Sequence, residues 1–128
     1  MKPVTSTLPL RLVALATASY SSALVAAPRL LARPAGLTAP DGSVPPDVAA
    51  LTRSVGTRDA ALALALAFSR SDPRVLGMLT AARVASDTAD AAWFAGIVSD
   101  PKQRAKVCGA ALGWAALETA ALLWSRNR

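Results

Sequence analysis

The chain has no histidine and a single cysteine, Cys108. Without imidazole there is no histidine-ligated zinc or haem, no Ser-His-Asp triad and no imidazole acid–base catalysis. One thiol cannot close an internal disulfide, so Cys108, set in an apolar stretch, reads as a small packing residue. Aromatic residues make up 5% of the chain and charged residues 17%, the latter below the proportion usual for a soluble domain. No glycine-rich nucleotide loop and no alternation of apolar and polar residues occurs, which removes nucleotide-binding and β-sheet readings. At 128 residues, positions 1–128 form one domain with one core.

What is abundant is alanine and other apolar side chains, 53% in all, with a mean hydropathy of +0.38. That leans towards a bilayer. The net charge of +6 and a pI near 10.8 invite a nucleic-acid reading. A nucleic-acid surface needs clustered basic residues with stacking aromatics, however. Here the basic residues sit at segment ends: Lys2 and Arg11, Arg29 and Arg33, Arg70 and Arg74, Lys102 to Lys106, Arg126 and Arg128. Such a distribution flanks membrane spans and meets anionic headgroups, so the expected partner is the lipid bilayer and not nucleic acid.

Four helical segments are expected, at about 10–32, 47–70, 73–98 and 101–125, with a Pro/Gly-rich linker over 34–46. In the first, the stretch from Leu12 to Ala27 carries hydroxyls but no charge, and Pro28 is expected to kink its end. A cleaved signal peptide is the rival reading of this segment, with Lys2 and Arg11 as its basic flank. Pro28 immediately after the cut opposes cleavage, so the first helix is expected to be retained. Asp47 reads as the cap of the second segment, and two Asp-Pro turns, at Asp72 and Asp100, start the third and fourth. The segments, about 23 to 26 residues long, could each cross a hydrocarbon core of roughly 30 Å.

The third segment holds a puzzle: Arg83, Asp87 and Asp90 run through an otherwise apolar helix. Leu76, Thr80, Arg83, Asp87, Asp90 and Phe94 recur at three- and four-residue steps and so share a stripe. Met78, Ala82, Ala85, Ala89, Ala92 and Gly96 form an opposite, small-residue face fit for close helix approach. The second and third segments, joined by a short turn, are antiparallel neighbours, so equal distance from Asp72 means equal depth. Arg58 lies fourteen residues before Asp72 and Asp87 fifteen after; Asp59 lies thirteen before and Arg83 eleven after; Arg53 and Asp90 are nineteen before and eighteen after. The expected pairs are therefore Arg58–Asp87, Asp59–Arg83 and Arg53–Asp90, facing the bundle interior, with alanine and leucine turned towards lipid. Two roles fit this cluster: fixing which helices pack, or serving as a proton or ion relay or ligand counter-ion. Carboxylates on neighbouring helices (Asp59, Asp87, Asp90 and Glu118) suit a hard cation, but the adjacent Arg58 and Arg83 oppose one, and no metal or cofactor is assigned. In the fourth segment Gly109 and Gly113, extended by Ala105, Ala116 and Ala120, form a close-packing stripe, within the chain in preference to a homodimer. Trp114 reads as core or lipid-facing bulk and Trp124, beside Arg126, as an interfacial anchor.

The run "RSVGTRDAALALAL" (Arg53 to Leu66), followed by a turn and a helix carrying "ASDTAD", resembles a family of small bacterial four-helix membrane proteins of unknown function, DoxX-like in build. Arg53, Gly56, Arg58 and Asp59, with Asp87 and Asp90, carry the resemblance, which extends over about residues 8–125 as hydropathy and helix order. It implies a four-span inner-membrane protein and brings no activity with it.

The expectation is thus an all-α, four-helix transmembrane bundle, multi-pass in a bacterial inner membrane. Its function is expected to be non-enzymatic: assembly or support of a membrane-protein partner. A small transporter or proton-coupled carrier using Arg58 and Asp87 is the alternative, and a soluble alanine-rich bundle a second one. The charge-free stretch from Val107 to Leu117 argues against the soluble bundle.

Overall fold

A computed structural model describes residues 7–127. Lys2 and Arg128, counted above among the flanking charges, lie outside them. The described chain is all helix and connections: α1 (Leu8–Ala26), a one-turn α2 (Arg29–Ala32), α3 (Pro46–Phe68), α4 (Pro73–Ile97) and α5 (Pro101–Asn127).

Proline sets most of the boundaries. Pro9, Pro46 and Pro73 each stand in the first turn of a helix, where a missing N–H costs nothing. The first helix does not run on to Ala32. Ala27, kept out of the helical region by the following Pro28, ends α1, and α2 restarts as a separate turn. Gly36, at φ +68°, lets the chain reverse after α2. Asp47 does not cap α3 as expected: Pro45 holds the cap position, Pro46 opens the helix and Asp47 lies within the first turn. Both Asp-Pro turns behave as anticipated. Asp72 accepts from the backbone N–H groups of Arg74 (2.8 Å) and Val75 (3.4 Å), and Asp100 from those of Lys102 (3.3 Å) and Gln103 (3.4 Å). In the linker, the Ser43 hydroxyl (2.6 Å) and N–H (2.9 Å) both donate to Asp41, bonds that hold its exposed carboxyl below its usual range.

The long helices form an up-down-up-down bundle of two tight pairs, α1 with α3 and α4 with α5. The α1–α5 and α3–α4 contacts close the ring, with α3 and α4 touching less despite the short turn between them. Arg11, at the start of α1, fixes the antiparallel sense of the first pair by donating to the Ala67 carbonyl and, at 2.8 Å, to that of Ser69. A cation there also complements the negative end of α3. At the other end of the pair, Arg53 Nε donates to the Val25 carbonyl at 3.2 Å. Between these ends Gly56 makes close approach possible: a Cβ there would lie 2.7 Å from the Ser21 carbonyl oxygen.

Along the bundle axis the interior is layered. Leu10, Ala14, Leu66, Ala67, Leu76 and Ala121 form an apolar layer near the α3–α4 turn. Ala35, Val98 and Val107 form a smaller one at the opposite end, beneath the segment that follows α2. A charged layer lies between them. Large apolar side chains lie on the outside: Phe68 is 76% exposed, Trp93 74% and Met78 73%, whereas Arg83 and Glu118 are 1% and 0% exposed. By length and apolar composition two helices, α1 and α5, could cross a membrane. Helices α3 and α4 fall short of that measure because charges interrupt both of them mid-helix.

The small-residue face of α4 points outward and packs against no other helix: Ala82, Ala85, Ala89, Ala92 and Gly96 are all exposed. Gly109 and Gly113 behave likewise. A Cβ at either would meet nothing within 4 Å, so the expected close packing inside the chain is not found. The reason is rotational, since the buried stripe of α5 runs instead through Val107, Ala115, Glu118 and Ala121.

Candidate functional site: a buried ion-pair network beneath a cavity

The inward stripe of α4 is the one its spacing indicates, with Leu76, Thr80, Arg83 and Asp87 all buried. Arg83 is the hub. Its Nε donates to Glu118 of α5 at 2.8 Å, while Nη1 lies 3.7 Å from Asp59 of α3 and Nη2 lies 3.7 Å from Asp87, one turn along its own helix. Arg58 enters from the edge, its side chain 38% exposed, and grips Asp90 with both terminal nitrogens (2.7 and 3.4 Å) and Asp59 with Nε (2.9 Å). Such a fork is the geometry in which guanidinium and carboxylate bind most strongly. Asp59 Oδ1 is shared by the two arginines, so an alternating chain runs Asp90–Arg58–Asp59–Arg83–Glu118 across three helices.

Of the three expected pairs, Asp59–Arg83 is present. Arg58–Asp87 is replaced by Arg58–Asp90. Arg53–Asp90 is absent, because Arg53 lies about 140° around the helix from Arg58, at five residues of 100° each, and bonds α1 instead. Glu118, considered at sequence level only as a cation ligand, is the closest partner of Arg83.

A cavity of about 390 Å³ lies over this network. Asp59, Arg83, Asp87 and Asp90 line its charged side, and Leu24, Val55, Phe94, Val107 and Trp114 are among its apolar walls. Trp114, partly buried, belongs to that wall. Its indole N–H donates to Thr17 Oγ1 at 2.6 Å, and Thr17 donates in turn to the Val13 carbonyl at 2.9 Å, tying α5 to α1 across the cavity wall. Trp124, by contrast, is 53% exposed near the end of α5. Cys108 packs beside the smaller apolar layer with its sulfur 3.3 Å from the Ala91 carbonyl oxygen.

Comparison with known proteins adds no neighbour: no family model, no curated protein and no solved structure matches the chain.

Two features of that geometry bear on chemistry. The network sets four carboxylates against two guanidiniums, and Asp87, although only 7% exposed, has an oxygen (Oδ2) that receives no hydrogen bond. The acceptor oxygens of Asp59, Asp87 and Asp90 lie within 4.8 Å of one another, near enough to converge on one ion. Arg58 and Arg83 already draw on those oxygens, and either guanidinium would be forced against a metal placed among them.

Proposed function

We propose that the chain is a four-span integral membrane protein, multi-pass in a bacterial inner membrane, that takes a small ligand into the cavity above its ion-pair network, as a small carrier would. The observation that carries the membrane half of this reading is the inverted polarity. In water a domain buries Phe, Trp and Met and exposes Arg and Glu; here Phe68, Trp93 and Met78 lie outside while Arg83 and Glu118 lie within. In hydrocarbon the arrangement reverses, because lipid solvates apolar side chains and charges must find partners inside the bundle. Helices of 19 to 27 residues, about 1.5 Å per residue, have the length to cross.

The cavity favours a carrier over a purely structural bundle, since a network serving only to hold helices together needs no open space above it. Assembly with a membrane-protein partner or a second copy is the other reading. It is favoured by the unoccupied face of α5 around Gly109 and Gly113, where another helix could approach closely. The test common to both is fractionation. Expressed in bacteria, the protein should stay in the membrane pellet through high-salt and alkaline carbonate washes. Release into the supernatant would overturn the four-span reading in favour of a soluble bundle.

A further inference from the structure

We propose that the cavity takes the tail of a long-chain carboxylate through a side opening between α1 and α5, with Lys106 holding the carboxylate at the mouth. This rests on the membrane reading and on the cavity as a ligand site, and it names the ligand's chemical class.

Exposure locates the opening. Of the residues that line the cavity only Tyr20, Lys106 and Ala110 are exposed, the first on α1 and the other two on α5. At one end of this seam the hydrogen bond from the Trp114 indole to Thr17 ties the two helices together. At the other end Leu31 and Pro34, on and just after α2, border the space. The mouth therefore lies on the flank of the bundle. Helices α1 and α5 are also the two whose length and apolar composition suit a membrane span, so in a bilayer this mouth opens towards hydrocarbon.

The lining decides what enters. Arg58 and Arg83 hold the carboxylates of the charged wall, and the buried atoms left without a hydrogen bond, Asp87 Oδ2 and Arg83 Nη1 among them, have no appreciable surface in the cavity. A polar ligand body would give up water there and find no free charged partner. The other walls are carbon, from Leu24, Val55, Phe94 and Val107, against which a hydrocarbon chain packs at no such cost.

The mouth sets the head group. Lys106 is exposed and forms no ion pair among the described residues, whereas Arg83, the other cation of the lining, is engaged by the network. Lys106 stands five residues, about 7.5 Å, inside the start of α5 at Pro101, within reach of the headgroup level by its flexible stem. A basic side chain in a cleft between spans suits an anionic head. One ammonium is a single point charge, and one carboxylate on one chain matches it. From Lys106 to Trp114 is eight residues, about 12 Å along α5, so a chain anchored at the mouth runs past Ala110 and Ala111 to the Trp114 ring.

The test uses the full chain with Trp114 as its only tryptophan, in neutral maltoside micelles at pH 9 and low salt. It is titrated with 9,10-dibromostearate, whose mid-chain bromines quench an indole they touch, and 9,10-dibromostearyl alcohol is the neutral comparator. Quenching should saturate, and should do so at about fivefold less acid than alcohol, the worth of one lysine near a charged surface. Lys106→Gln, at an exposed position, should erase that preference and leave the protein folded. Ala111→Phe, which fills the cavity from α5, should abolish the saturable quenching while the melting temperature is kept. Equal half-saturation by acid and alcohol, a preference that survives Lys106→Gln, or undiminished quenching in a folded Ala111→Phe variant would each overturn the proposal. Tighter quenching by phosphatidylglycerol bearing the same brominated chains would assign the site to a two-chain lipid and overturn it as well. A carbonate-stable protein that shows no preference for the acid refutes this inference alone, and a carbonate-released protein that shows it refutes only the membrane reading.

Discussion

The bundle has two unlike interiors along its axis. Near the α3–α4 turn, Leu10, Leu66 and Leu76 fill the space between helices with alanine beside them, and the contacts there ask only for fit. A few turns further on, the interior consists of Asp59, Arg83, Asp87 and Glu118 next to an unfilled cavity. Leucines can trade volume among themselves, but an ion pair cannot lose one member without stranding the other. The apolar layer is tolerant. The charged layer is specific, because Arg83 accepts only the arrangement that brings α3, α4 and α5 to it together.

The sharpest way to break the charged layer is at its hub. Arg83→Met leaves Asp59, Asp87 and Glu118 facing one another and should cost about 3–5 kcal/mol, enough to remove most of the protein that accumulates in membranes. Adding Glu118→Leu should restore part of that loss, since the most deeply stranded carboxylate leaves with its partner. Purely additive losses in accumulation and detergent melting temperature would show that the two side chains do not meet.

Close helix approach comes next in size. Gly56→Ala places a methyl 2.7 Å from the Ser21 carbonyl oxygen, which is backbone and cannot swing away. The α1–α3 pair must separate, at a cost of about 1–3 kcal/mol, read as a lower melting temperature in micelles. An unchanged melting point would mean that α1 and α3 do not approach as closely as described.

The smallest effect has the opposite sign. Gly113→Ala meets nothing within 4 Å and lies inside a helix, so it should raise stability by roughly 0.5–1 kcal/mol. The same variant decides whether that face is an interface. If a second copy packs there, cross-linking between copies will fall as monomer stability rises.

How much of this was legible beforehand follows from what each sequence signal measures. Hydropathy and the Asp-Pro turns report length and punctuation, and they locate α3, α4 and α5 to within a few residues; the break at Pro28 was expected only as a kink. Counting from a turn reports depth but not rotation. It therefore finds Asp59–Arg83, yet assigns Arg58 to Asp87 when the long arginine side chain reaches past it to Asp90. Counting about Asp72 is also blind to α5. Taken about Asp100, the same arithmetic sets Arg83 seventeen residues before the turn and Glu118 eighteen after it, and would have paired them. The alanine face of α4 suits close packing and outward exposure equally well by its small residues alone; the charges on the opposite stripe are what turn it outward, as the structure has it. The cavity had no sequence signal. It reflects missing volume beside Ala110 and Ala111, and periodicity does not record volume.

The central claim is that this molecule turns its mid-bundle charges, Asp59, Arg83, Asp87 and Glu118, inward while Phe68, Met78 and Trp93 face the bilayer. Trp93, at 74% exposure on the outside of α4, tests it most directly. A variant retaining Trp93 as its only tryptophan, reconstituted into vesicles whose lipids carry bromine on the acyl chains near the headgroup, should lose most of its fluorescence to the lipid bromines and little to aqueous iodide. Quenching by iodide with no effect of brominated lipid would put Trp93 in water and contradict the account.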